Sequence, residues 1–287
     1  MSCTIKPIGS LQITRNVITG LVNEKYQPAL KKLELFSHLL LIIDNPKNND
    51  KENTHFHNSA IYILTAQIEN ITDNKICLNA TVNFKGKYNI YDIKPYFPCE
   101  DRVFEAKITE NTIYQESLIK KLINKQLIQQ SKELKIKGYI QKNQDGYFLD
   151  LSQYPKDIIE QYSKFSHLRV IWQFSRFSKD KHKRVLLVNP PYENAPKSGL
   201  FATRSPVRPN PIAITVVKIK EVDILNKLMA VSDLDSFNNT PILDIVPYIP
   251  QKDFVESFFV PSYLAHWPKY FQDIKKEFKI QKRFLSI

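Results

Sequence analysis

The stretch KSGLFATRSPVRPNPI, residues 197–212, sets Arg204 and Arg208 four residues apart among three prolines, Pro206, Pro209 and Pro211. Each proline fixes φ and removes a backbone donor, so the loop is stiff. A stiff loop carrying two guanidiniums offers pre-ordered donors to a carboxylate or phosphate. A structural turn with surface arginines is the competing reading. Other chemistries lack their residues. The six glycines, Gly9, Gly20, Gly86, Gly138, Gly146 and Gly199, are too scattered for a G-x-G-x-x-G fingerprint or a phosphate-cradling loop. Cys3, Cys77 and Cys99 are odd in number and widely spaced, which predicts free thiols in a reducing compartment. His55 and His57 form an H-x-H pair with no third ligand at metal spacing, so they read as loop residues and no metal is expected. His167 recurs as His38 in a second F-S-H-L, which favours a structural role. No residue stands out as a catalytic base.

The elements that must position the loop come as a repeat. F-S-H-L ends an amphipathic run at residues 26–39 and again at residues 154–168, and Phe36 and Phe165 lie 129 residues apart. YDIKPYFPCEDRV from Tyr91 returns as LDIVPYIPQKDFV from Leu243, with Asp92 and Asp244 152 residues apart. Two ordered anchors point to a duplication whose second copy carries 23 extra residues, between Phe174 and Ile212. The arginine loop lies in that insertion. The spacing predicts helices over 26–39 and 155–163. It predicts strands over 39–43, 60–71, 75–84 and 89–96 in the first copy. In the second copy it predicts strands over 165–174, 212–222, 227–231 and 241–248. Many short strands and few helices make the fold mainly β (α+β), a barrel or sandwich in each copy.

Residues 116–142, with seven lysines against two glutamates, read as a basic helix between the copies, and the segment from Trp267 reads as a basic amphipathic helix. Lysines and arginines total 41 against 29 acids, a net charge of +12. Such an excess favours a polyanionic partner, either a nucleic acid or an anionic membrane surface, or is a solvated basic surface. No apolar run approaches the roughly 18 residues of a membrane span. A cytoplasmic protein is expected.

FSHL…FATRSPVRPNPI…TPILDIVPYIP resembles the TsaA-like family of tRNA threonylcarbamoyl-adenosine-37 N6-methyltransferases. The resemblance is close over residues 154–253 and weak over 5–101. It implies a small β-barrel and a homodimer with S-adenosylmethionine (SAM) near its interface. It also implies methylation of N6 of threonylcarbamoyl-adenosine in tRNA. On the family's motif, the SAM-contacting arginine of A-T-R-S matches Arg204, and the contact ten residues later falls on Ile214. The acidic loop D-L-x-D-G-T matches DSFNNT here, which keeps Asp235 and Thr240 but has Asn238 and Asn239 for the second acid and the glycine. The family's Phe-His pair after the FSHL strand is Phe174-Ser175 here, followed by Arg176. Arg208 and Asn210 of the R-P-N-P core are expected to meet the substrate. Of the family's P-R-Q segment only Arg15 is a candidate.

The first copy lacks the arginine loop, and its counterpart of DSFNNT, residues 83–88, holds no acid. The expected organisation is therefore a degenerate barrel over 1–112 and a basic linker with an entry strand over 113–152. The SAM-binding barrel follows over 153–260, and a basic C-terminal helix over 261–287. The first copy would stand in for the second subunit, so the expected state is a monomer acting as an internal pseudo-dimer, with one live site. A non-catalytic SAM- or RNA-binding protein and a methyltransferase of a small molecule are the competing functions.

Overall fold

The computed structural model describes residues 2–15, 17–46, 59–107, 131–177 and 179–273. The N-terminal half contains β1 (Ser2–Ile5), β2 (Gly9–Ile13), β3 (Ile18–Val22), β4 (His38–Asp44), β5 (Ile61–Thr72), β6 (Lys75–Asn79), β7 (Gly86–Pro95) and the single turn α1 (Pro98–Asp101). The C-terminal half begins with β8 (Lys132–Lys135), β9 (Gly138–Asn143), β10 (Gly146–Asp150), α2 (Lys156–Tyr162) and β11 (His167–Gln173). The insertion follows, with α3 (Asp180–Lys183), β12 (Leu187–Val188) and β13 (Ser198–Gly199). The half closes with β14 (Ile212–Asp223), β15 (Leu228–Val231), β16 (Thr240–Pro247) and α4 (Pro250–Asp253). None of the described helices is long and apolar enough to cross a membrane.

Six strands of each half close into a barrel. The two cycles, β2-β3-β6-β5-β4-β7 and β9-β10-β15-β14-β11-β16, have the same order. Even the irregularities match: β4 slips against β7 between Ile42 and Ile43, and β11 slips against β16 between Ile171 and Trp172. The unbroken apolar run of β4 has a physical reason. Leu39, Leu41 and Ile43 point into the N-terminal barrel, whereas Leu40 and Ile42 pack between the barrels against Ile171, Ile212, Ile214 and Leu243. A strand buried on both faces does not need to alternate.

The halves meet through reciprocal contacts. β1 pairs antiparallel with β8, Cys3 opposite Leu134 and Ile5 opposite Lys132. The Tyr96 hydroxyl accepts the Val255 N–H at 3.4 Å, and the Tyr248 hydroxyl accepts the Val103 N–H at 3.2 Å. Ser37 donates its N–H to the Phe259 carbonyl and Ser166 donates to that of Lys107. Each such pair of bonds joins one half to the other in both directions, the pattern of an isologous two-fold contact. His38 and His167 each bond a neighbouring serine through Nδ1. Burial lowers the pKa of His167 to about 4, which fits a neutral, structural imidazole.

Some expected helices are absent. Residues 24–35 form two short 3-10 turns, because Pro28 interrupts the run and Lys32 adopts a left-handed conformation, φ 71°. The described part of the basic linker is β8 and β9, so the C-terminal barrel starts at Gly138 rather than at 153; residues 116–130 lie outside the described residues. From Trp267 to Asp273 the chain forms a 3-10 turn and bends, and Trp267 packs edge-on against Phe97 and Tyr192. The remainder of the expected C-terminal helix, and His55 and His57, also lie outside the described residues.

The insertion reaches across to the other barrel. Leu200, Phe201 and Ala202 belong to the N-terminal core, and Gly199 donates its N–H to the Lys31 carbonyl at 2.8 Å. A Cβ on Gly199 would lie 2.3 Å from the Ala29 carbonyl oxygen. Neither backbone can yield without separating the halves. Gly199→Ala is therefore expected to cost about 1–3 kcal/mol by overpacking, read as a lower urea midpoint. An unchanged midpoint would show that the insertion is not held there.

Candidate functional site

The arginine loop is pinned by Arg208. Its side chain is fully buried, and all five N–H groups are used. Nε and Nη2 donate to the Asp92 carboxylate at 2.9–3.1 Å, Nη2 also donates to the Ile93 carbonyl, and Nη1 donates to the carbonyls of Thr203 and Ser205. Asn210 is equally committed: its amide donates to the Lys6 and Tyr91 carbonyls and its oxygen accepts the Lys6 N–H. The expectation that Arg208 and Asn210 bind substrate is corrected here. They fasten the loop to β7 of the other barrel and leave no group for a ligand. Ile214 packs in the interface core between the barrels.

Arg204 is anchored but not exhausted. Nε and Nη2 donate to the Pro95 carbonyl at 3.0 and 2.8 Å, and Nη2 also binds the Asp101 carboxylate. Asp101 is itself fixed, accepting the Phe97 N–H at 2.8 Å. Among the described residues Nη1 makes no hydrogen bond, and its nearest anion is Glu100 Oε2 at 3.9 Å. One nitrogen of a rigidly held guanidinium is thus left without a hydrogen bond, within ion-pair distance of Glu100.

The surroundings of that edge come from both halves. From α1, Glu100 keeps 44% of its side chain accessible. Burial raises its carboxyl to about 7; Arg204 and Lys94 oppose the rise, and Asp101 and Asp235 add to it. Lys94 is buried and paired to Asp92 at 2.8 Å. Burial and the Arg208 charge bring it down to about 7 against the pull of Asp92. From the β15–β16 loop, Asp235 is exposed, and partial desolvation raises its carboxyl above the ordinary carboxylate range against the opposing charge of Lys142. In the same loop, Asn238 accepts the Lys142 N–H and Thr240 Oγ1 bonds the Phe237 carbonyl, so both hold the turn, with Asn239 at φ 63°. Phe174 stacks edge-on with Trp172, Ser175 is exposed, and the Arg176 guanidinium lies 3.5 Å over the Phe237 ring. Arg15 is exposed at the β2–β3 turn, with no described contact to this site.

Arg204 and Asp235 therefore share an electrostatic neighbour in Glu100, and Phe174–Arg176 flank the Asp235 loop through Phe237. The residues that the sequence did not single out, Lys94, Glu100 and Asp101, all come from the N-terminal half. The signal was in the repeat itself: YDIKPYFPCED keeps a lysine and an extra acid where LDIVPYIPQKD has Val246 and Lys252.

Residues 125–254 match the family model described as the tRNA-methyltransferase O N-terminal domain. A probable S-adenosyl-L-methionine-binding protein of Pyrococcus abyssi is 38% identical over 129 residues, 44% of this chain and 64% of its own length. A probable S-adenosyl-L-methionine-binding protein of Methanocaldococcus jannaschii is 32% identical over 113 residues, 39% of this chain and 88% of its own. The human tRNA (adenine(37)-N6)-methyltransferase is 37% identical over 99 residues, 34% of this chain and 21% of its own. The chain thus spans less than two thirds of the Pyrococcus relative and about a fifth of the human one.

Removing the Asp92 carboxylate would leave Arg208 and Lys94 buried without their counter-charge. Breaking a buried pair from one side costs about 3–5 kcal/mol, so Asp92→Ala is expected to lose that much in a denaturant titration. A loss below about 1 kcal/mol would contradict the role given to the pair.

Proposed function

The chain belongs to the family of the tRNA-methyltransferase O N-terminal domain, and on that premise we propose that it is a SAM-dependent methyltransferase acting on N6 of threonylcarbamoyl-adenosine 37 in tRNA. The observation that carries the proposal is Arg204, held by the other barrel through Pro95 and Asp101, with Nη1 unbonded and 3.9 Å from the partly accessible Glu100. The residues fit the cofactor. A guanidinium edge suits the carboxylate of an amino acid, and Asp235 offers negative charge to a sulfonium. When bound, SAM supplies a methyl group on a positively charged sulfur. The protein's share is to hold that methyl in line with the acceptor nitrogen and to exclude water. Phe174, Ser175 and Arg176 form one rim of the recess, and Asn238 and Thr240 shape the other.

The N-terminal barrel takes the place of the second subunit of a homodimer in this reading. Equal strand order and reciprocal contacts support it. On the side related by the pseudo-two-fold, the described groups already bond one another. At the positions matching Gln173 and Phe174, Asp44 binds Lys132, Tyr91 and Asn89, and Asn45 binds the Ser59 carbonyl. The arginine loop has no counterpart there, so each chain has one site.

The insertion also suits a polyanion. Residues 175–211 carry eight basic and two acidic side chains. Arg204 and Arg208 are tied to carboxylates, whereas Arg176, Lys179, Lys181 and Arg184 are exposed beside the recess rim. These cations would meet tRNA phosphates, whose contacts weaken as salt rises.

Calorimetric titration with SAM is expected to give one molecule per chain. Loss of a charged hydrogen bond, about 1.5–3 kcal/mol, predicts that Arg204→Ala weakens binding by at least tenfold while melting remains cooperative. Two molecules per chain, or undiminished affinity in the variant, would contradict the reading. Methyl transfer to tRNA is expected to fall steeply with added salt; a flat profile would favour a small-molecule acceptor.

A further inference from the structure

Arg204 and Glu100 form a loose ion pair with no hydrogen bond between them. Their nearest charged atoms, Arg204 Nη1 and Glu100 Oε2, are 3.9 Å apart, that nitrogen makes no hydrogen bond among the described residues, and Glu100 is 44% accessible. They also come from opposite halves of the chain. The neighbouring Asp101 is different: 2% exposed, it is occupied by Arg204 and by the Phe97 N–H. A carboxylate and a guanidinium set side by side and open to one recess match an α-amino acid end, whose carboxylate and ammonium stand on one carbon.

We propose that Glu100, supplied by the N-terminal half, binds the α-ammonium of the cofactor while Arg204, from the C-terminal half, binds its α-carboxylate. This rests on the SAM-site reading above and assigns its amino-acid subsite. The repeat supplies an internal control. Asp253 stands where Asp101 does and likewise accepts a backbone N–H, that of Ile249 at 2.7 Å, so this aspartate is structural in both halves. At the position of Glu100 the other half has Lys252. At this position a carboxylate is present only in the half on which the arginine loop docks. A lysine would repel an ammonium, and the half that faces no arginine loop has one.

Glu100 must be ionised to act. Facing it are Arg204 from the insertion, Asp101 and Cys99 from its own turn, Lys94 from β7, Asp235 from the β15–β16 loop and Tyr192 from the insertion. Burial keeps Cys99 and Tyr192 neutral by raising both. The balance of the others leaves Glu100 titrating at about 7. Affinity for a ligand with an ammonium there rises as pH climbs through that value, because the carboxylate fraction grows.

Two neutral-sulfur probes isolate the subsite: S-adenosylhomocysteine carries the amino-acid end, and 5′-methylthioadenosine lacks it. Calorimetry on the full chain is expected to show Glu100→Gln binding the first about 10- to 100-fold more weakly, the loss of one charge-assisted contact, and the second within twofold of the parent. The rise in homocysteine-ligand affinity across neutral pH disappears in the variant, and Lys252→Gln changes neither ligand. Equal affinity of parent and Glu100→Gln for S-adenosylhomocysteine overturns the assignment, as does an equal loss for both probes, which would mark a structural role. A parent chain that binds neither S-adenosylhomocysteine nor SAM rejects the SAM site itself, a different failure.

Discussion

The bidentate pairing of Arg208 with Asp92 fixes everything at the site. It is fully buried and spans the two halves, and the carbonyls of Thr203, Ser205 and Ile93 take the N–H groups that Asp92 leaves. A buried pair of this kind is weak evidence for stability on its own, because desolvation offsets most of the attraction. Its effect here is geometric. The prolines of the loop leave few conformations, and the fork selects the one in which Arg204, four residues earlier, lies over Pro95 and Asp101 of the other barrel. The recess is thus a product of the interface and not of either barrel alone.

That dependence explains the unequal halves. The C-terminal half holds the arginine loop, and the N-terminal half holds the Asp92-Lys94-Pro95 strand and the Glu100-Asp101 turn on which the loop lies. Each has drifted where it faces the opposite end of the pseudo-two-fold. Lys94 is matched by Val246, Glu100 by Lys252, and the loop by nothing. On the related side, Asn89, Tyr91 and Lys132 donate to Asp44. In the one-site reading proposed above, such divergence follows because a contact needed only once need not be kept twice.

Much of this was legible in the chain. The two anchors gave the repeat, alternation and β-branched runs gave most barrel strands, and the stiff A-T-R-S-P-V-R-P-N-P stretch marked the loop. The failures have physical causes. The 26–39 run has helical spacing, but Pro28 removes a donor within it and tertiary contact with Gly199 favours 3-10 turns. β9 was hidden in a lysine-rich stretch because only Gly138 and Ile140 of that strand are buried. Arg208 and Asn210 look like ligand-binding groups in a motif, and only the fold shows that their partners are backbone carbonyls and Asp92 more than a hundred residues away. Glu100 escaped notice because a site built across two halves leaves no contiguous pattern.

The most direct test of a cofactor recess shared by both barrels is a structure of the full chain with S-adenosylhomocysteine. The account predicts ligand density between the barrels, its carboxylate at about 3 Å from Arg204 Nη1, with α1 of the N-terminal half and the Asp235 loop on either side. Density lying wholly within one barrel, or on the Asp44 side of the molecule, would contradict it.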